Sequence, residues 1–322
     1  MKSTPLNLGL AEAEKSWLAT ALTLRSSVIP AIFPRVLLCT GFGIFVSFLF
    51  ERGYPIALPL STSVIPSLVL SLLLVFRTNT AYERFWEGRK QWGSLINSSR
   101  NFARQMWVSI AENSERDRVR KIGMLRLLIA FAIATKRHLR YEKIDEELSA
   151  FMPESLYLKL QKMNNPPLEI ALWLGDYLQD RYNQNCLNAY QLAAMFKLLD
   201  NLVDALGACE RILKTPIPLA YAIHLKQLLL IYCLLLPFQM VNEFVWLTGG
   251  IVGVVSFTLF GIEAIGLEIE NPFGYDANDL PLDAMCQTMQ TNIEDLITLA
   301  PSVCNWDNIE QDYDKKSRQQ NW

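Results

Sequence analysis

Stretches without a single charged side chain constrain this chain more than any other feature. Asp, Glu, Lys and Arg are absent from 36–50, 53–76, 227–242 and 244–262, runs of 15, 24, 16 and 19 residues. Built as α-helices at about 1.5 Å per residue, the second run spans about 36 Å and the fourth about 28 Å, against a bilayer hydrocarbon core of about 30 Å. The first and third reach only about 22 and 24 Å by the same rise. Each begins beside a long basic side chain, Arg35 or Lys226, whose head can reach the interface while its stem stays in lipid. The runs pair into two hairpins, so four crossings are expected. Composition supports this reading, with 51% hydrophobic and only 19% charged residues.

Charge orients the hairpins. Residues 77–226 carry 22 of the 30 Lys and Arg, against four up to Arg35 and three in 263–322. Positive residues gather on the non-translocated side, which places both termini and the central block there. A formal net charge of −2 lacks the basic excess that a nucleic-acid binder needs. The six cysteines are scattered with no CxxC pair, and there are two histidines, His138 and His224. Neither a disulfide scaffold nor a histidine-rich metal site is expected. Residues 1–25 are polar and mixed in charge, unlike a cleavable signal.

The central block carries helical spacing throughout. Met124, Leu127, Leu128, Phe131 and Thr135 form one stripe, Leu168, Leu172 and Leu178 a second, and Leu192, Phe196, Leu199, Leu202, Val203 and Leu206 a third. Breaks fall at Pro153, at Asn-Asn-Pro-Pro 164–167 and at Pro216/Pro218. The expected fold is all-α: an integral membrane protein with four transmembrane helices and a helical bundle on the cytosolic side. The divisions are 1–27, a transmembrane hairpin over 28–76 with 53–76 as its second helix, a helical region 77–226, a hairpin over 227–262, and a C-terminal segment 263–322.

Two stretches carry more information than composition. After the second run the chain reads FRTNTAYERFWEGRK (76–90), with Arg77, Arg84, Arg89 and Lys90 among Tyr82, Phe85 and Trp86. This can be an aromatic and basic belt at headgroup level, or a basic vestibule that concentrates anions at a pore mouth. After the fourth run it reads IENPFGYDANDLPLD (269–283), where Asp276, Asp279 and Asp283 surround a bent backbone. A hard cation could bind there, although the spacing is not that of an EF-hand. A solvated acidic turn is the plainer account.

With the hairpin–helices–hairpin order, these two stretches resemble the bestrophin family, in its bacterial and plastid branch, over nearly the whole chain. The resemblance implies a homopentameric ion channel, mostly anion-selective, with the second helix of each subunit lining a central pore. Counting back from Arg77, Tyr82 and Glu83, it implies an apolar neck at Ser61, Ile65 and Val69. It implies a cytosolic constriction, placed at Leu199 by counting back from Tyr221, and a basic vestibule at Arg77 and Arg84. The family's calcium clasp matches Asn271, Asp276 and Asp279, while Tyr275, Ala277 and Asn278 stand where animal members have a dense acidic run. Pro66 within a helix starting at 53 would leave the Thr62 carbonyl free.

The function expected is passive conduction of chloride, with bicarbonate or nitrate as further permeant anions. A cation channel of the same architecture is the alternative, because Glu83 and Glu87 sit beside the arginines. An enzyme is not expected, since the spans hold no acid, base or histidine pair. No cofactor is required, and calcium is the one ion to consider. The partners are identical subunits, small anions and the lipid bilayer, with no nucleic acid. The location expected is a cyanobacterial or plastid membrane, thylakoid or plasma.

Overall fold

The computed structural model describes residues 17, 19, 23–24, 26–59 and 64–299. Nine helices of seven residues or more order these residues: α1 (Ile29–Glu51), α2 (Val64–Ser109), α3 (Glu115–Leu139), α4 (Glu154–Leu160), α5 (Pro166–Asn183), α6 (Ala189–Lys214), α7 (Leu219–Phe244), α8 (Thr248–Glu268) and α9 (Leu282–Leu299). Short 3-10 turns lie at Glu146–Phe151 and Val245–Leu247. No strand occurs among the described residues, and the all-α expectation holds.

The second helix departs from its expected bounds. Residues 53–59 are not helical, and the described helix spans Val64–Ser109. Pro55 and Pro59 disfavour helical geometry at the residue before each, and the Leu58 N–H instead donates to the Phe238 carbonyl at 2.8 Å. Pro66 lies near the start of the described part of α2. Thr62 and the expected neck residue Ser61 lie outside the described residues.

The chain forms two compact units. The first contains residues up to Leu95, Lys136–Glu142 and Val203–Ala284. Its core joins Ile32 and Cys39 of α1, Leu70 and Leu74 of α2, Leu225, Leu229, Cys233 and Leu236 of α7, and Val252 and Phe260 of α8. α1 lies tightly along α8. A Cβ on Gly43 would stand 3.0 Å from the Gly249 Cα, and one on Gly253 would stand 2.6 Å from the Thr40 Oγ1. Small residues at such a crossing matter in lipid, where van der Waals contact replaces the water-driven attraction between helices. The outer side of α1 shows Phe33, Leu37, Leu38, Ile44 and Phe45, as a helix apolar on every face should.

Long, apolar helical stretches cover Ile29–Glu51, Ile65–Ser109 and Leu219–Glu268, the last of 50 residues. That last stretch has length enough for two crossings and is broken at Val245, whose φ of +40° is unfavourable for a β-branched residue. Its carbonyl accepts the Ser47 hydroxyl at 2.8 Å, which ties the α7–α8 turn to α1.

The second unit contains Ile96–Thr135, Lys143–Leu202 and the residues from Met285. Leu127 to Thr135 of α3 are all buried, so this stretch is enclosed on every side and is not the one-sided stripe its spacing suggested. The breaks fall where expected. Pro153 precedes α4, and the Asn165 side chain caps α5 by accepting the Leu168 N–H. Leu168 and Leu172 are exposed, while the buried face of α5 is Ile170, Leu174, Tyr177 and Leu178. Two buried cations are paired locally. Arg181 meets Asp117 at 2.5 Å and Asp180 at 2.7 Å; Lys121 donates to the Trp107 and Ile110 carbonyls and meets Glu112.

Candidate functional site

The first unit buries one face of α2 and leaves the other bare. Leu70, Leu74, Arg77 and Ala81 are buried at helical spacing, against the unit's own core. Opposite them Ile65, Leu68, Val69, Leu72, Val75 and Phe76 are 47–74% exposed. Within that face Ile65, Val69, Leu72 and Phe76 follow one line at four- and three-residue steps. The expected neck positions Ile65 and Val69 both lie on it. Thr80 and Glu83 continue the same line, and both are exposed.

The two arginines of the expected vestibule face inward. The Arg77 side chain is 1% exposed and meets Glu270 at 3.5 Å, while its Nε and Nη1 are buried with no hydrogen-bond partner among the described residues. Arg84 donates to three carbonyls: Glu270 through Nε at 3.1 Å, Thr215 through Nη1, and Ile212 through Nη2 at 2.7 Å. Burial pulls the Arg84 guanidinium below its ordinary value, with Glu270 opposing. Glu270 also accepts the Ile217 N–H at 3.0 Å. These arginines bind the residues that follow α6 and α8 to α2, a packing task in place of the vestibule expected of them. The outward charges at this exit are Glu83, Arg89 and Lys90, the last paired with Glu87 at 2.9 Å.

Beside the arginines a cleft of about 410 Å3 opens between α2 and the α6–α7 connection. Phe76, Arg77, Thr80 and Arg84 line one side, and Thr215–Pro218 with Tyr221 the other. The Tyr221 hydroxyl donates to the Leu73 carbonyl at 2.8 Å. A second inward-facing acid, Glu263 of α8, is 2% exposed with Arg35 and Lys226 each at 4.0 Å.

The acidic loop after α8 is clasped by the end of α3. Asp283 meets Lys136 at 2.7 Å and Arg140 at 3.0 Å. Arg140 also donates to the Phe273 carbonyl at 3.0 Å and lies 4.0 Å from the Tyr275 ring centroid. Tyr275 donates to Glu142, which Arg137 also holds. Basic side chains at a helix C-terminus complement its dipole. The loop's own acceptors close it: Asn271 Oδ1 takes the Phe273 N–H at 3.4 Å and Asp279 Oδ2 the Asp276 N–H at 2.8 Å. A Cβ at 274 would stand 2.7 Å from that carboxylate and force it to shift. Burial pushes the Asp279 carboxyl up to about 6 against the Asp276 N–H bond, and the Asp276 and Glu268 carboxylates add to the rise. Of the three calcium candidates, Asn271 and Asp279 are thus engaged within the loop and Asp276 is exposed. No group of three carboxylate, thiol or imidazole side chains among the described residues is placed to hold a metal.

Leu199, expected at the cytosolic constriction, is 6% exposed and packs over Gly175 of α5, at 3.5 Å from where a Cβ would be.

The family model for bacterial and fungal bestrophin proteins matches residues 10–295. The chain belongs to the bestrophin family. Among its relatives, a voltage-dependent anion channel-forming protein of Nostoc is 63% identical over 295 residues, covering 92% of this chain and 96% of the relative. A protein of the same description from Synechocystis is 59% identical over 285 residues, covering 88% and 93%. The crystal structure of a bacterial bestrophin homolog from Klebsiella pneumoniae superposes with a TM-score of 0.77 at 30% identity, covering 83% of this chain and 98% of that one. This bestrophin is a membrane protein. The residues that sequence reasoning missed, Glu270, Glu263 and Arg140, left one faint signal: the acids Glu263, Glu268 and Glu270 close behind an apolar run.

Proposed function

We propose that this bestrophin is one subunit of a passive anion-selective channel, a homopentamer in which the exposed line of α2 faces a central axis. The line Ile65–Val69–Leu72–Phe76 carries the reading. It is apolar, its side chains are 47–74% exposed, and its helix buries the opposite face in the subunit's own core. The names of the cyanobacterial relatives support the sign of the permeant ion. In this reading α1, α2, α7 and α8 cross the bilayer as two hairpins, and the region between them lies on the non-translocated side.

Chloride is the anion conducted, with nitrate and bicarbonate as further permeant anions. With Arg77 and Arg84 turned inward, selectivity rests on the neck. A ring of aliphatic side chains strips part of an ion's hydration shell, so weakly hydrated anions lose least and pass most easily. No cofactor enters this mechanism; calcium, were it to act, would act through Asp276 and Asp279. The membrane is a thylakoid or plasma membrane of a cyanobacterium. Liposomes containing the purified protein should pass nitrate faster than chloride and exclude gluconate. Equal passage of all three would reject an apolar neck.

One observation favours a second reading, cation conduction through the same architecture. Glu83 stands two helical turns beyond Phe76 on the same line, and it is exposed where the arginines are not. Five such carboxylates would form an acidic ring of the kind that attracts cations.

A further inference from the structure

We propose that Arg35 and Lys226, drawn together by Glu263, hold the headgroup phosphate of an anionic phospholipid at the bilayer surface. Glu263 of α8 is 2% exposed, with Arg35 of α1 and Lys226 of α7 each at 4.0 Å. Ionisable side chains within membrane-spanning helices are costly and point to a site. Here one carboxylate gathers two cations from two other helices. Neither cation has a further acidic partner among the described residues, so one positive charge is left uncompensated. At 4.0 Å both contacts are longer than hydrogen bonds, and Glu263 Oε1 has no hydrogen-bond partner among the described residues. The N–H donors of the two cations stay available. They are also within reach of a ligand, since the Arg35 and Lys226 side chains are 58% and 54% exposed.

The place in the chain indicates the rest of the ligand. Arg35 and Lys226 stand immediately before the charge-free runs 36–50 and 227–242, and Glu263 immediately after 244–262. α1 and α7 therefore enter the apolar layer where α8 leaves it, at the depth where acyl chains give way to charged heads. About one helical turn further in, Leu38 and Leu230 are 72% and 53% exposed, on the same sides of their helices as Arg35 and Lys226. Exposed cations above exposed leucines match a phosphate carried on acyl chains, and basic sites between transmembrane helices at this level take anionic headgroups. A free phosphate shares the charge but gains nothing from the leucines. A zwitterionic lipid brings its own cation and leaves the surplus charge in place. The inference concerns binding alone and does not depend on which ion the channel conducts.

The test uses the full-length protein in neutral detergent, stripped of lipid and offered phosphatidylglycerol, phosphatidylcholine or inorganic phosphate, with retention read by native mass spectrometry. One phosphatidylglycerol per chain is expected, held about tenfold more tightly than phosphatidylcholine, with no inorganic phosphate retained. Arg35→Gln and Lys226→Gln each leave Glu263 beside one cation, so the buried acid stays paired while the surplus charge is gone. Each should lose the preference for phosphatidylglycerol at an unchanged melting temperature. Lys226→Arg should keep it, and so should Arg52→Gln, which removes an exposed cation at the opposite end of α1. Equal retention of the two lipids, retention of inorganic phosphate in place of phosphatidylglycerol, a preference that survives either neutralisation, or one lost equally in Arg52→Gln would overturn the proposal.

Discussion

Arg77 and Glu270 meet at 3.5 Å, joining the point where α2 leaves its apolar stretch to the turn that follows α8. Glu270 is bonded on both sides, since it also accepts the Ile217 N–H. Glu270→Ala leaves a buried guanidinium without its counter-charge, a loss of about 3 kcal/mol for pairs of this kind. Replacing both residues by Met removes the charge and its partner together and should recover more than half of that loss. Thermal unfolding in detergent compares the two; equal destabilisation would show that the charge pair is not what holds this junction.

Asp279 makes the acidic loop respond to pH. Its carboxyl is pushed up to about 6 in the folded chain, above an ordinary aspartate near 3.9. Between these values the folded state holds a proton that the unfolded state has released, so stability falls as pH rises from about 4 to about 6. Protection of residues 271–280 against hydrogen exchange, taken relative to the intrinsic exchange rate at each pH, should rise on going from pH 7 to pH 5. Asp279→Asn should remove the difference and leave the loop in its protected state at pH 7.

Gly253 lies at a close approach of α8 to α1. A Cβ there stands 2.6 Å from the Thr40 Oγ1, so Gly253→Val must push the helices apart, at about 1–3 kcal/mol for overpacking. Thr40→Ala should rescue part of it by clearing the contact. A Gly253→Val protein that melts like the wild type would mean the helices already stand farther apart.

The neck reading gives a conduction prediction. Ile65→Ala with Val69→Ala removes bulk from two successive points on the exposed line of α2, and should raise single-channel conductance while flattening the preference for nitrate over chloride. An unchanged current ratio between the two anions would remove both residues from the neck.

Architecture was legible in the sequence because it is written in long-range averages. Charge-free runs locate α1, α7 and α8, and prolines at 153, 166–167 and 218 end or begin helices by denying backbone bonds. What the sequence hid depends on which side of a helix meets a neighbour. Arg77 and Arg84 look like solvent-facing cations beside aromatics, yet one is closed in by α8 and Glu270 and the other is spent on carbonyls that only the fold brings near. Leu199 shares a stripe with true core residues and proves to be one of them. The second helix was begun too early, over residues 53–59, because Pro55 and Pro59 are uncharged and so blend into the apolar run. Ile65 and Val69 fell on the exposed line because a count in steps of four along a helix keeps to one face.

The central claim is the sign of the conducted ion, and the reversal potential tests it most directly. The purified protein in a planar bilayer under a sodium chloride gradient should reverse near the chloride equilibrium potential, and Glu83→Gln should bring it closer still by removing the one exposed acid on the pore-facing line. Reversal near the sodium potential, moved toward chloride only in the Glu83→Gln variant, would contradict the account and make the acidic ring, not the apolar neck, the selectivity element.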